Sequence, residues 1–211
     1  MESRQSSQSS QSSQQRGSGP LFIPVVLGSI RRNRRSYYPA RFVAERVEAA
    51  GHRTQLIDLR ELRLPMYDEE EATDRHDAVL AFKAVMARSD ASIWFSPEYN
   101  HSFTGVIKNA IDHLHDEVRR KPIAACGLAG GVSGGIRASE GLKMVLIELH
   151  AVPIRESIHF GEARVLFDAE GNLQRPDFIR RVDYMLAELA WYARALKWGR
   201  DHLPIPQRDR S

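Results

Sequence analysis

Short apolar runs alternate with amphipathic stretches from about residue 21 to residue 198, and this alternation most constrains what the chain can fold into. Residues 21–27 (LFIPVVL), 53–59 (RTQLIDL), 91–96 (ASIWFS), 122–128 and 151–158 carry the compact apolar content of buried strands, with Pro24 an oddity inside the first. A 3.6-residue apolar period predicts helices over 35–50, 74–88, 104–114, 135–150 and 176–198. Gly51 stops the first helix and Pro176 starts the last. Five strands separated by helices pair in parallel through right-handed crossovers, so an α/β sheet covered on both faces is expected. Residues 161–174 fit neither pattern and read as an irregular excursion with a hairpin around Glu170-Gly171-Asn172.

The flanks differ. Residues 1–20 are rich in Ser, Gln, Gly and Arg and lack the apolar side chains that offset chain entropy, so a disordered tail is expected there. One folded domain is expected over 21–200 and a flexible tail over 201–211. Hydrophobic residues make up 42% of the 211, enough for a full core. No run reaches the roughly 20 apolar residues of a membrane helix, and the first residues lack a signal peptide's apolar centre, so a cytoplasmic protein is expected. A net charge of +3 suits a small anionic ligand as well as nucleic acid; without a recognition-helix or RNA-binding motif, no nucleic-acid partner is expected. The single cysteine, Cys126, excludes an internal disulfide framework and reads as a buried small hydrophobe.

In an open parallel sheet, ligands sit at the carboxyl ends of the strands, where strand order reverses. Three loops at such ends carry unusual chemistry. The first, Gly28-Ser29-Ile30-Arg31-Arg32-Asn33-Arg34-Arg35-Ser36, has a glycine for a sharp turn, serines and free amides for a phosphate at a helix start, and arginines for charge-assisted hydrogen bonds. It is neither a Walker A loop nor GxGxxG, which disfavours a nucleoside triphosphate site. The second, Ser96 to Ser102, places Pro97, Glu98, Tyr99 and Asn100 where an aromatic plane and amides could meet a planar heterocycle. The third holds five glycines between Gly127 and Gly135, a costly composition unless backbone must lie flat against a ligand. Metal chemistry finds little support, because His113 and His115 are two residues apart and do not share a helix face. Glu69, Glu70 and Glu71 read as a solvated loop, although residues 65–71 could border a substrate mouth.

The stretches GSIRRNRRS (28–36), PEYNHSFTGVIKNAIDHL (97–114) and GGVSGGIRASEGL (130–142) together resemble the NADPH-dependent FMN reductase family, whose relatives include quinone and chromate reductases. The resemblance covers roughly residues 22–160. It implies a flavodoxin-like three-layer sandwich whose five-stranded parallel sheet has the order 2-1-3-4-5. It also implies non-covalent FMN, with NADPH or NADH as electron donor and a small molecule such as a quinone, flavin, metal oxyanion or azo compound as acceptor. By the same resemblance, Ser29, Arg31 and Ser36 would hold the FMN phosphate. Pro97, Glu98, Tyr99 and Asn100 would line the isoalloxazine and ribityl chain, and Gly130, Gly131 and Val132 would bring backbone to the pyrimidine side. The four residues between Arg31 and Ser36 depart from the family pattern, which leaves Arg34 or Arg35 as alternatives to Ser36. No side chain is expected to act as nucleophile or base, since the flavin would carry the chemistry. The family also implies a homodimer, or a tetramer, with the flavin near the subunit boundary. An FMN-binding electron carrier without direct NAD(P)H oxidation is the competing reading.

Overall fold

A computed structural model describes residues 19–206. Residues 1–18 and 207–211 lie outside the described residues, and within the C-terminal tail expected from 201 the last helix continues through Asp201 and His202. The strands are β1 (Val25–Leu27), β2 (Leu56–Asp58), β3 (Ser92–Pro97), β4 (Pro122–Leu128), β5 (Val152–Pro153) and β6 (His159–Phe160). The main helices are α1 (Tyr37–Ala49), α2 (Asp77–Arg88), α3 (Gly105–Asp112), α4 (Ile136–Glu148) and α5 (Asp177–His202). The sheet runs β2-β1-β3-β4-β5, with β6 also paired to β4, and every pairing is parallel. This is the expected 2-1-3-4-5 order.

Strand alternation sorts the core into two halves. Val25, Leu27, Ile93, Phe95, Ala124 and Cys126 face one way and pack with Val43 and Val47 of α1 and Val182, Met185 and Leu189 of α5. Val26, Trp94, Ile123 and Ala125 face the other way and pack with Phe82 of α2, Ile107 and Ile111 of α3, and Leu142 of α4. Each large apolar side chain so buried contributes about 1.5–3 kcal/mol. Trp94 is fully buried and its indole N–H donates to Ser92 Oγ (3.0 Å), so it belongs to the core. Trp191 and Trp198 of α5 are exposed.

Several boundaries differ from the periodicity reading. Regular β1 starts only after Pro24, which has no N–H to give, yet Ile23 N–H still donates to Arg53 O (2.8 Å) and Val25 N–H to Gln55 O (3.0 Å). The predicted second helix begins at Asp77 instead of residue 74, because Glu71–Asp74 forms a separate helical turn. The expected fifth strand is interrupted. Val152 stands opposite Pro122 but His159 opposite Gly127, so two extra residues leave the ladder between β5 and β6. The excursion after β6 makes its hairpin with a bridge between Phe167 and Leu173, and Gly171 turns it at φ +89°.

Two buried groups show how the sheet treats polarity. Burial pushes the Cys126 thiol up to about 12, so it is an inert core thiol beside Met185. Lys121, just before β4, gives its ammonium to the Met86 and Ala87 carbonyls (2.8 and 2.6 Å) at the end of α2. Desolvation lowers its pKa from 10.5 to about 8. The folded state therefore disfavours the charged form. Between pH 8 and 10.5 the unfolded chain binds more protons, and stability must rise with pH through that window. Urea unfolding of the wild type against Lys121→Met from pH 7.5 to 10.5 tests this: the wild-type curve should gain stability relative to the variant as pH rises.

Candidate functional site

The helices that follow β1 and β3 leave on opposite faces, α1 into one half of the core and α3 into the other. Between their starts opens a cleft of about 540 Å³, a size typical of small-ligand sites. All three loops contribute to its lining. The first supplies Ser29, Arg31, Asn33, Arg34, Arg35 and Ser36; the second, Pro97, Glu98 and Tyr99; the third, Ala129 and Gly130. The excursion adds Ala163 and Arg164.

Ser36 is fully buried at the N-terminal boundary of α1. Its hydroxyl makes no capping bond and has no hydrogen-bond partner. A buried orphan hydroxyl is costly, and here it sits in the cleft wall at a helix N-terminus, where an anion would satisfy it. Ser29 is also buried, with Oγ 3.3 Å from the Tyr99 hydroxyl, so the first two loops touch directly. The Arg31 guanidinium lies 5.7 Å from the Tyr99 ring centre, a cation–π distance.

The arginines of the first loop divide by partner. Arg34 is nearly buried and forks onto Asp58 at the end of β2, while its Nη1 also donates to the Ser29 carbonyl (2.6 Å). It braces the loop, and its charge is already neutralised. Arg31 and Arg35 are exposed and have no carboxylate partner among the described residues. Of the alternatives to Ser36, Arg34 is thus occupied elsewhere and Arg35 is free to meet an anion.

Glu98 is similarly committed. Its carboxylate pairs with the Arg137 side chain and accepts the Arg137 backbone N–H (3.1 Å). That pair ties the second loop to the start of α4, just past the glycine loop. Asn100 and His101 both adopt positive φ (50° and 67°), and Tyr99 and Ser102 exchange backbone hydrogen bonds of 3.0 and 3.1 Å. Both central residues of the tight turn are therefore left-handed, and the turn sets the direction of Tyr99. Asn100, Gly131 and Val132 are exposed and do not line the cleft.

The glycines answer different needs. A Cβ on Gly28 would strike the Ile107 side chain, and its φ is not positive, so close packing against α3 requires this glycine instead of the sharp turn expected. Gly127 lies against the Gly134–Gly135 backbone, and Gly134 and Gly135 have positive φ (62° and 82°). Gly130 and Gly131 would meet nothing within 4 Å. Nothing in the protein itself excludes a side chain at Gly130, yet it borders the cleft, as a backbone surface left bare for a flat ligand would.

Sequence reasoning passed over residues that assemble these parts. Thr104 caps α3 by accepting from Ile107 N–H (3.4 Å) and donates to the Gly28 carbonyl (2.7 Å), locking the second loop to the first. Asn109 pins the loop after β2, accepting from Tyr67 N–H (2.9 Å) and donating to the Pro65 carbonyl (2.8 Å). Both lie in the 97–114 stretch that carries the family resemblance, which was the one signal for them. Arg164 gave no signal, because nothing in an irregular segment tells where it folds back. Among the described residues no group of three or more His, Cys, Asp or Glu could hold a metal ion, and no helix is long and apolar enough to cross a membrane.

Residues 23–164 match the family model described as NADPH-dependent FMN reductase. An NADPH azoreductase of Bacillus sp. (strain OY1-2) is 30% identical over 135 residues, 64% of this chain and 73% of its own length. A probable NADPH:quinone oxidoreductase 2 of Oryza sativa subsp. japonica is 30% identical over 184 residues, 84% of this chain and 91% of its own. The structure of FerB, a flavoenzyme NAD(P)H:(acceptor) oxidoreductase from Paracoccus denitrificans, superposes with a TM-score of 0.72 at 23% identity, covering 83% of this chain and 98% of that one.

The division of the arginines can be checked. Asp58→Asn leaves Arg34 buried without its counter-charge and should destabilise the fold by about 3 kcal/mol. Arg35→Ala, at an exposed unpaired site, should stay within about 0.5 kcal/mol. Urea denaturation of the two variants measures both.

Proposed function

The chain belongs to the NADPH-dependent FMN reductase family, and from that premise we propose that the cleft between the three loops is its FMN site. As a member, the chain is an NAD(P)H-dependent flavin oxidoreductase that serves a small acceptor. The observation that carries the placement is the buried, unpartnered hydroxyl of Ser36, a residue of the cleft lining at the start of α1.

The residues fit the group. Ser36, Ser29 and the first amides of α1 offer donors to a phosphate, with Arg31 and Arg35 as uncommitted positive charges beside them. Tyr99 and Pro97 give the cleft a flat, apolar wall. Glu98 acts through Arg137, holding the second and third loops in register, and Asn100 fixes the turn that aims Tyr99. Gly130 leaves backbone bare at the cleft edge, while Gly131 and Val132, named with it from the resemblance, lie outside the lining. Bound flavin supplies hydride and electron transfer; the protein orients the reactants and stabilises negative charge through fixed donors. No described side chain is needed as nucleophile or proton carrier.

We include in the proposal a cytoplasmic setting, where reduced nicotinamide is supplied, and a homodimer. Ile136, Met144 and Ile147 are exposed along one face of α4, the helix that follows the glycine loop, so a subunit contact there would border the flavin. Sedimentation should give a dimer for the wild type and a monomer for Met144→Lys; an unchanged mass for the variant would move the contact elsewhere.

Titrating apo-protein with FMN should quench the flavin fluorescence, and NADPH should then bleach the bound flavin anaerobically within the turnover time. Slow bleaching would instead favour the electron-carrier reading. Ser36→Ala should weaken FMN about tenfold, the loss of one hydrogen bond to a charged group, and leave riboflavin binding unchanged because riboflavin has no phosphate.

A further inference from the structure

The charge of the cleft exceeds what one FMN phosphate requires. Its lining carries Arg31, Arg34, Arg35 and Arg164, with Glu98 as the acid. Glu98 is neutralised by Arg137 and Arg34 by Asp58. Arg31, Arg35 and Arg164 remain without a carboxylate partner among the described residues. A phosphate monoester carries about −1.5 to −2 charges near neutrality. Arg31 and Arg35, in the same loop as Ser29 and Ser36, already match it. Arg164 is left over.

Arg164 also comes from a different part of the chain. It follows β6, next to Ala163, whose N–H donates to the Ala129 carbonyl (3.2 Å). Glu162 N–H donates to the Gly131 carbonyl (3.1 Å), so residues 162 and 163 are stitched to the glycine loop on both sides of Gly130. The fold thus fixes the backbone at Arg164 while its side chain stays exposed at the cleft. The neighbouring acid, Glu162, faces Arg175 (3.8 Å). An exposed guanidinium on the cleft lining, without an ion-pair partner among the described residues, concentrates positive potential where a reactant must enter.

We propose that Arg164 is a specificity-determining residue that recognises an oxyanion on the reactant meeting the flavin. That anion would be either the extra phosphate that distinguishes NADPH from NADH or a sulfonate or carboxylate on the electron acceptor. The inference rests on the FMN reading of the cleft. Arg164 pairs with the incoming anion by a charge-assisted hydrogen bond and sets affinity for it.

The test uses full-length holoenzyme, wild type and Arg164→Ala. FMN affinity is read by fluorescence, 2′,5′-ADP binding by calorimetry, and KM for NADPH, NADH, a sulfonated azo dye and a neutral quinone by steady-state kinetics. If the anion is the donor's, the variant binds 2′,5′-ADP about tenfold more weakly and KM for NADPH rises about tenfold, with NADH unmoved. If it is the acceptor's, KM for the sulfonated dye rises about as much, with the quinone unmoved. Arg164→Lys should recover part of either loss by restoring the charge without the fork. Equal changes for charged and uncharged reactants, no change in any value, or a matching loss of FMN affinity would each overturn the proposal. Failure of the wild type to take up FMN would instead refute the reading on which it rests.

Discussion

The helices after β1 and β3 depart to opposite faces of one parallel sheet, and everything functional follows from that divergence. Because α1 and α3 separate, the loops that lead into them cannot pack against each other along their whole length. The gap opens at the strand ends, with Pro97 and Leu128 of the sheet in its lining beside the loops. Thr104 sets its width by bonding across to the Gly28 carbonyl, and Ile107 does so by filling the space a side chain on Gly28 would need.

Charge in the site is then distributed by pairing. Two ion pairs act as struts: Arg34 with Asp58 anchors the loop after β1 to β2, and Glu98 with Arg137 anchors the β3 loop to α4. Burial makes the first strut strict, since either partner alone would be an uncompensated charge. Arg31 and Arg35 line the cleft with no carboxylate partner among the described residues, so the arginines of one loop divide between bracing it and lining the cleft.

Much of this was legible in the sequence. Apolar period gave every main helix and the strand order followed from the resemblance, because a doubly covered parallel sheet writes nearly continuous apolar strands. The three loops were visible from composition. What period could not show were effects decided by single contacts. The break between β5 and β6 adds two residues without changing apolar content. The Gly28 requirement comes from Ile107, about 80 residues away, and the commitment of Arg34 from Asp58 in another strand. Arg164 lies in a segment with no period at all, and only the folded chain brings it to the cleft.

Buried hydroxyls and a helix start that hold the phosphate of a flavin mononucleotide would keep protons off it. Phosphorus NMR of FMN with equimolar protein, followed from pH 5 to 8, tests it directly. Free FMN titrates near pH 6, where its phosphate passes between the dianion and the singly protonated monoanion. Bound FMN should show a displaced resonance that stays dianionic across that range, since arginine and helix donors favour the charged form. A resonance that titrates as in the free nucleotide would contradict it.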